Sequence, residues 1–339
     1  MGWRVEFLHD PAVEKLIRNR SLKPKTLESY LDGIGDFCRF YNMYPSELVE
    51  WFREMDEDQV VEAFRNYFIG RKTDLAPKSL WNFTGAVKAL LIENDVRTVD
   101  RVSREIARAF RRSVGRVKTL LKRDMITKNE IIQILNIAGL REKVLITIMA
   151  SSGLRIGAAL NLKLENIKDN IWDTSLPCYQ IEIPETLSKE SEPYVTFMSW
   201  EAAEYLRDWL KSREQSGETI TPSSYLFPSR QGGSISQKRF QVIWRKLCDE
   251  AGIDSRPIPI RGKLPRPKKG GGFIYLQAVR YNIRPHSLRK FFRTTLTISG
   301  VDPKAAEALM GHSLSKFGVE SIYDFAVSNL DYLRSEYLK

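Results

Sequence analysis

The chain has 339 residues, which is more than one hydrophobic core usually holds, so the length predicts two domains. A net charge of +11 and an isoelectric point near 9.4 suit a polyanionic partner. No apolar stretch approaches the roughly 20 residues of a membrane span, the N-terminus lacks a secretory signal pattern, and three scattered cysteines disfavour a disulfide framework or a zinc site.

The first hundred residues carry helical patterns. Apolar residues recur mostly three or four positions apart, which is typical of an amphipathic helix, at Leu27, Tyr30, Leu31, Ile34, Phe37, Cys38 and Tyr41. Further helices are predicted over Pro45–Trp51, Glu57–Phe68 and Lys78–Leu91. We interpret this aromatic-rich periodicity as a helical core rather than as a base-stacking surface.

Basic residues in this part of the chain are candidates for contacts to DNA phosphates. The candidates, some of which lie in a basic run between 104 and 123, are Lys23, Lys25, Lys78, Arg111, Arg112 and Lys118. The same side chains could equally form a solvated face. We predict a helical domain over 1–110 and a basic linker over 111–124.

A second domain is predicted over 125–339. Thr127 and Glu130 match a capping box at a helix start, and Gly153 marks a turn before Arg155 opens another helix. The alternating pattern of 179–183 and the β-rich residues 194–197 then predict a hairpin. Helices are expected to resume over Trp200–Lys211 and Ser236–Glu250.

Residues 256–272 have an unusual composition. They contain six basic residues, no acidic ones, four prolines and three terminal glycines, so we expect no packed core there. The segment is predicted to be a surface loop that orders on DNA, or a mobile insertion. Its candidate DNA contacts are Lys263, Arg266, Lys268 and Lys269.

The last fifth of the chain indicates phosphoryl transfer. His286 and Arg289 are three residues apart, which places them on one face of a helix, and His312 and Tyr323 follow. Guanidinium and imidazole donors suit a phosphodiester. A tyrosine phenol with a pKa near 10 needs such neighbours to act as a nucleophile.

At this point the chain resembles the tyrosine recombinases (lambda-type integrases and Xer-like recombinases) over about residues 125–330. The matching motifs, in order, are Ser152-Gly153-Leu154-Arg155-Ile156, Tyr225-Leu226-Phe227-Pro228-Ser229, His286-Ser287-Leu288-Arg289, Leu309-Met310-Gly311-His312 and Tyr323. Five weak motifs in order make a specific signal. The resemblance implies a mainly helical fold with a small β-hairpin, in which a SAM-like core-binding domain precedes an α/β catalytic domain.

The resemblance also implies a role for each site residue. Arg155 and Arg289 would bind the non-bridging phosphate oxygens, and Tyr323 would attack the phosphorus. His286 would contact the phosphate or handle the proton of the nucleophile, and His312 would add a donor. Lys189 resembles the hairpin lysine that protonates the departing 5′ oxygen, a step that guanidinium cannot perform. No metal or other cofactor is expected.

Each assignment has a structural alternative. His286 could be a buried histidine, the arginines could form ion pairs, Lys189 could be a solvated turn residue, and Tyr323 could be a core aromatic. Tyr332 and Tyr337 compete with Tyr323 as the nucleophile. The chain also departs from the family, because Ala158 stands where an acidic residue is usual, and Glu165 is not an obvious substitute.

We therefore predict a site-specific recombinase that forms a 3′-phosphotyrosine intermediate on double-stranded DNA. Dimers would bind an inverted-repeat core site, and tetramers would exchange strands. The protein would be located in the cytoplasm, at the nucleoid. The alternatives are a type IB topoisomerase-like enzyme and a non-catalytic DNA-binding protein of the same fold. The apolar tail beyond Tyr323 is predicted to join protomers or, alternatively, to fold back on its own domain.

Overall fold

The computed structural model describes residues 6–115, 125–190, 192–253, 257–267, 273–314, 317 and 329–339, with the backbone alone for 257–267 and 273–280. The chain divides into two compact units. The first comprises Met1–Thr119 and Ile258–Arg280, and the second comprises Leu120–Pro257 and Tyr281–Lys339. Among the described residues, no helix is both long and apolar enough to cross a membrane.

The first unit is helical apart from one inserted pair of strands. Its helices are α1 (Pro11–Arg20), α2 (Pro24–Tyr41), α3 (Pro45–Arg53), α4 (Glu57–Arg71), α5 (Pro77–Glu93), α6 (Arg97–Arg101) and α7 (Ser103–Val114). Proline stands in the first turn of four of them, where its missing N–H has no intrahelical partner to lose.

The predicted helical core of the first unit is confirmed. The ring of Phe37 lies 4.5 Å from that of Tyr67 and 5.4 Å from that of Phe64, measured between centroids, and all three side chains are buried. The Tyr67 hydroxyl donates to the buried carboxylate of Asp36 at 2.8 Å, and Arg71 donates to the same carboxylate. The aromatic periodicity therefore reflects packing rather than a stacking surface.

The predicted limits of the first domain need two corrections. Residues 111–114 are not linker, because α7 continues to Val114 and is held by the buried side chains of Ile106 and Phe110. In addition, residues 258–280 group with the first unit, although they interrupt the second unit in sequence.

The inserted residues form two paired strands, β3 (Pro257–Pro267) and β4 (Phe273–Tyr281). The prediction of a loop over 256–272 is therefore wrong for 257–267. All four prolines of β3 stand at odd positions, so they remove N–H groups from one edge and leave the other edge free to pair. β4 supplies the partner and is rich in aromatic and β-branched residues.

The second unit surrounds a small hairpin with helices. Its described elements are α8 (Lys128–Ile137), α9 (Leu140–Ser152), α10 (Ile156–Leu160), β1 (Cys178–Ile183), β2 (Tyr194–Ser199), α11 (Trp200–Gln215), α12 (Gln237–Glu250), α13 (His286–Ile298), α14 (Pro303–Leu309) and α15 (Leu330–Tyr337). The predicted fold class, mainly helical with a small β-hairpin, is confirmed.

Two local predictions for the second unit are also confirmed. Thr127 accepts a hydrogen bond from the amide of Glu130 at 3.2 Å, and the Glu130 carboxylate accepts from the amide of Thr127 at 2.7 Å. This capping box starts α8. The hairpin is antiparallel, with Cys178 opposite Ser199 and Ile183 opposite Tyr194. Residues 184–193 connect the two strands of this hairpin.

The C-terminal helix α15 packs onto its own unit. Leu333 is buried, and the ring of Tyr337 lies 5.4 Å from that of Phe197. Arg334 donates to the Asp169 carboxylate at 2.9 Å. Two arrangements are predicted for the apolar tail. The packing of α15 agrees with a tail that folds back on its own domain, because its apolar side chains are buried in the core of the same unit.

Candidate active site

Arg155 is positioned by a sharp turn at the end of α9. Gly153 ends this helix with φ at +64°, and a Cβ there would come within 2.2 Å of Phe292. The turn therefore requires glycine for both its conformation and its packing. Arg155 follows as the N-cap residue of α10, and its guanidinium lies 3.5 Å from the Glu190 carboxylate.

Arg289 lies in the first turn of α13 and is held from several sides. Its side chain donates to the carbonyl of Gly153 and, at 2.6 Å, to the carbonyl of Met310. Its Nη2 also lies 2.8 Å from Nε2 of His312. Arg289 is only 3% exposed. A guanidinium fixed by two backbone carbonyls has one orientation, as a preorganised anion site requires.

His312 is presented by the turn that ends α14. Gly311 adopts φ of +59°, and the amide of His312 donates to the carbonyl of Glu307 at 3.0 Å, the six-to-one bond of a Schellman motif. The same turn brings Nδ1 of His312 within 2.5 Å of Oε2 of Glu307. Glu307 is 5% exposed, so a buried carboxylate stands behind the imidazole.

These groups perturb one another electrostatically. Burial and the neighbouring Arg155 lower the pKa of Arg289 to about 10. Desolvation, followed by the charge of Arg289, lowers the pKa of His286. Desolvation also lowers the pKa of His312, against the opposing effect of its hydrogen bond to the Glu307 carboxylate. The site therefore concentrates positive charge and disfavours the charged form of its two imidazoles.

Tyr194 joins this cluster from the start of β2. Its phenol lies beside the guanidinium of Arg289, and burial, despite the nearby Arg289 and Arg155, raises the pKa of the phenol. A Cβ at Gly311 would come within 2.5 Å of the Tyr194 ring. Gly311 thus allows the ring to lie directly against the turn that carries His312.

Lys189 lies in the segment that connects β1 and β2, and its side chain is exposed. The next residue, Glu190, forms the 3.5 Å ion pair with Arg155. The connecting segment therefore reaches the arginine site.

Of the six predicted catalytic residues, the structure brings Arg155, His286, Arg289 and His312 together. Lys189 is adjacent in sequence to Glu190, which pairs with Arg155. Tyr323 lies outside the described residues.

The competing tyrosines are held elsewhere in the second unit. Tyr337 packs between Phe197 and Phe292, with ring centroids at 5.4 and 6.2 Å, and burial raises the pKa of its phenol. Tyr332 is partly buried against the same core. A phenol in an apolar core is a poor nucleophile because its ionised form is disfavoured. This packing argues against Tyr337 as the attacking residue.

The predicted DNA-binding residues fall into three groups: exposed side chains of the first unit, residues of β3, and residues outside the described part of the chain. Exposed side chains of the first unit are Lys23, Lys25, Lys78, Arg111 and Arg112. Lys263 and Arg266 lie on β3, where the backbone alone is described, and Lys118, Lys268 and Lys269 lie outside the described residues. Arg111 and Arg112 extend an exposed basic face of α7.

Three residues of the site were missed by sequence reasoning. Glu307 could have been found, because an acidic residue five positions before the histidine of a Gly-His pair at a helix end fits the Schellman spacing. Tyr194 and Glu190 carry no local signal. Their approach to Arg289 and Arg155 depends on tertiary packing of the hairpin.

Comparison with known proteins agrees with these features. The sequence profile of the Phage integrase family matches residues 124–323, which is more than half of the chain. The chain belongs to this family of tyrosine recombinases and integrases. The matched segment contains the whole arginine–histidine cluster described above.

Curated relatives of the family are distant. Tyrosine recombinase XerD of Pseudomonas aeruginosa is 24% identical over 177 residues, 52% of this chain and 47% of the relative. Tyrosine recombinase XerC of Xanthomonas axonopodis pv. citri is 26% identical over 175 residues, 52% of this chain and 44% of the relative. The match thus spans about half the length of each relative.

A solved structure extends the similarity of fold over nearly the whole chain. The Tn1549 transposon integrase, in complex with circular intermediate DNA, superposes with a TM-score of 0.54. The two sequences are 15% identical, and the match covers 96% of this chain and 97% of the other. At this identity the similarity supports the fold of this phage integrase family member.

Proposed function

We propose that this protein is a site-specific recombinase that cuts and rejoins double-stranded DNA through a 3′-phosphotyrosine intermediate. The single observation that carries the proposal is the convergence of Arg155, Arg289, His286 and His312 in the second unit. Two guanidiniums oppose the charge of a pentavalent phosphorane and offer donors to its oxygens, and two imidazoles stand beside them.

The proposed cleavage step needs three proton and charge tasks. The Tyr323 oxygen attacks phosphorus, and the phenolic proton passes to a neutral imidazole, for which His286 is the candidate. Arg155 and Arg289 stabilise the growing charge on the non-bridging oxygens. Lys189 gives its proton to the 5′ oxygen as the P–O bond breaks. Rejoining reverses these steps, so no external energy source is required.

The proposed division of labour follows the two units. The first unit would bind duplex DNA through exposed basic residues such as Lys25, Lys78, Arg111 and Arg112. The second unit would carry the chemistry. We further propose that two protomers bind an inverted-repeat core site and that four protomers exchange strands, which would place the protein at the nucleoid.

A nicked suicide substrate tests the proposal. The wild-type protein is expected to form a covalent protein–DNA adduct, in EDTA as well as in Mg²⁺, because its cations belong to the chain. Tyr323→Phe should bind DNA but form no adduct, since it lacks only the phenol oxygen. Tyr332→Phe and Tyr337→Phe are the matched controls and should retain the adduct.

Three outcomes would contradict the proposal. A DNA complex without any covalent adduct would favour the non-catalytic DNA-binding protein. An adduct in Tyr323→Phe would assign the nucleophile to another tyrosine. A strict requirement for Mg²⁺ would exclude a mechanism based on fixed cations alone.

A further inference from the structure

We propose that Glu307 is the positioning residue that fixes the protonation pattern of His312. This inference rests on the proposed function, because it assigns Glu307 a task within the same site. Glu307 stabilises the proton on Nδ1 of His312, so that Nε2 accepts the hydrogen bond from Arg289.

The hydrogen-bond partners of His312 permit one arrangement of protons. Arg289 can only donate, so Nε2 of His312, 2.8 Å from Nη2 of Arg289, must be the acceptor. On the opposite side of the ring, Nδ1 lies 2.5 Å from Oε2 of the Glu307 carboxylate, which can only accept. The imidazole is therefore neutral and carries its proton on Nδ1.

Glu307 is itself held in place. Its Oε1 accepts from Nε and Nη2 of Arg293, at 3.3 and 3.2 Å. Arg293 is anchored in turn by Thr297, which accepts from Nη1 at 2.6 Å. The two carboxylate oxygens thus have separate tasks, because Oε1 faces Arg293 while Oε2 faces His312.

The other acidic candidates do not perform this task. Ala158 is 4% exposed and has no polar side-chain atom. Glu165 is exposed and pairs with Lys163 at 3.5 Å. Glu190 pairs with Arg155, not with a histidine. Among the described residues, Glu307 is the carboxylate that contacts His312.

Glu307→Gln is an informative substitution because Arg293 dictates how the new amide is oriented. Arg293 requires an acceptor, so the amide oxygen should occupy the Oε1 position and the NH₂ group should face His312. Nδ1 must then accept, which moves the imidazole proton to Nε2. An N–H on Nε2 would oppose the N–H of Arg289, and the contact between Arg289 and His312 should break.

The test measures the His312 tautomer directly by ¹⁵N NMR of histidine-labelled protein. The chain has only three histidines, so His9→Gln and His286→Gln variants assign the His312 signals. The wild-type protein should show the Nδ1-protonated tautomer, and Glu307→Gln should show the Nε2-protonated one. Cleavage of the suicide substrate should fall about tenfold to a hundredfold in Glu307→Gln, the range expected for losing a hydrogen bond to a charged group.

A second variant separates orientation from folding. In Glu307→Gln combined with Arg293→Met, the amide is free to rotate and offer its oxygen to Nδ1. The Nδ1-protonated tautomer should return, and part of the cleavage rate with it. Glu336→Gln is the matched control, because Glu336 is equally buried at 5% and accepts from the amide of Asp302, away from His312. It should leave the tautomer unchanged.

The proposal is overturned if Glu307→Gln keeps the Nδ1-protonated tautomer, or if the double variant fails to restore it while the protein remains folded. A tautomer change without loss of cleavage would also overturn the positioning role. The NMR measurement needs no DNA, so it remains informative even if the protein proves not to form a covalent adduct.

Discussion

The two sides of the candidate site are built differently. On one side, α13 and α14 hold Arg289 and His312 by bonds to backbone carbonyls and to a buried carboxylate. On the other side, the hairpin connection carries Lys189 and Glu190 on exposed side chains, and one 3.5 Å ion pair links it to Arg155. The first side is preorganised, whereas Lys189 and Glu190 on the second side are exposed.

This difference indicates which step of the proposed cleavage reaction each side of the site can perform. Stabilising charge on phosphate oxygens requires donors that do not reorganise during the reaction, which suits the α13–α14 side. Protonating a leaving group requires a cation that can approach the DNA and lose a proton, which suits an exposed lysine. The comparison predicts that substitutions on the α13–α14 side affect folding as well as cleavage, while those on the hairpin side affect cleavage alone.

The largest effects are expected for the two arginines. Arg155→Ala and Arg289→Ala should each cost about 3 kcal/mol of transition-state stabilisation, as for loss of one donor to a developing oxyanion. Arg289→Ala should also lower the unfolding free energy by roughly 1–3 kcal/mol for each carbonyl left unpaired at Gly153 and Met310. Single-turnover cleavage and thermal unfolding measure the two losses. Equal unfolding losses in both variants would contradict the comparison.

Lys189→Ala should slow cleavage by about a hundredfold, the lower range for general acid catalysis. Its thermal unfolding should match that of the wild type because the side chain is exposed. A substrate with a 5′-thio leaving group, which needs little protonation, should restore the rate. Failure of that rescue would remove Lys189 from the acid role, and Lys163→Ala offers a control lysine in the same unit.

Acidification should weaken the α13–α14 side. Because desolvation lowers the pKa of His312 and of His286, the folded protein binds these protons less readily than the unfolded chain. Stability is therefore full above about pH 6.5 and is lost as the pH falls through the lowered folded values. Thermal unfolding from pH 8 to pH 5 should show this loss, and His312→Gln should reduce it. A steeper loss in His312→Gln would refute the assignment.

The smallest effect is expected at Glu190. Glu190→Gln removes the acidic partner of Arg155, an exposed pair worth about 0–1 kcal/mol. Binding of the suicide substrate should tighten by at most about fivefold, because the DNA phosphate no longer competes with a carboxylate for the guanidinium. Weaker binding would mean that Glu190 orients Arg155 for DNA rather than competing with it.

Much of the fold could be predicted because its signals are local. The capping box at Thr127, the alternation in β1 and the apolar periodicity of α2 depend on residues close in sequence. The loop predicted over 256–272 failed because β3 gains its order from β4, and the prolines of β3 were considered without that partner. The composition of a segment does not reveal whether another segment pairs with it, and a β-strand requires such a partner.

The residues of the candidate site also divide into those with a local sequence signal and those placed by tertiary packing. The motif residues Arg155, His286, Arg289 and His312 could be found from spacing, and the structure brings them together. Tyr194 could not, because its contact with Arg289 depends on how β2 packs against α14. Glu307 shows a further limit, because its contact with His312 depends on the turn that ends α14 and not on any of the matching motifs.

The crowding around Arg289 makes phosphate binding an exchange rather than an addition. A guanidinium has five N–H donors. Three of those of Arg289 serve Gly153, Met310 and His312, and the Tyr194 phenol lies beside the same guanidinium. A DNA phosphate must therefore displace the Tyr194 phenol to reach the two remaining donors. A small free anion has little binding energy to offset that displacement, whereas duplex DNA held by many other contacts does, so the site should discriminate strongly against free phosphate.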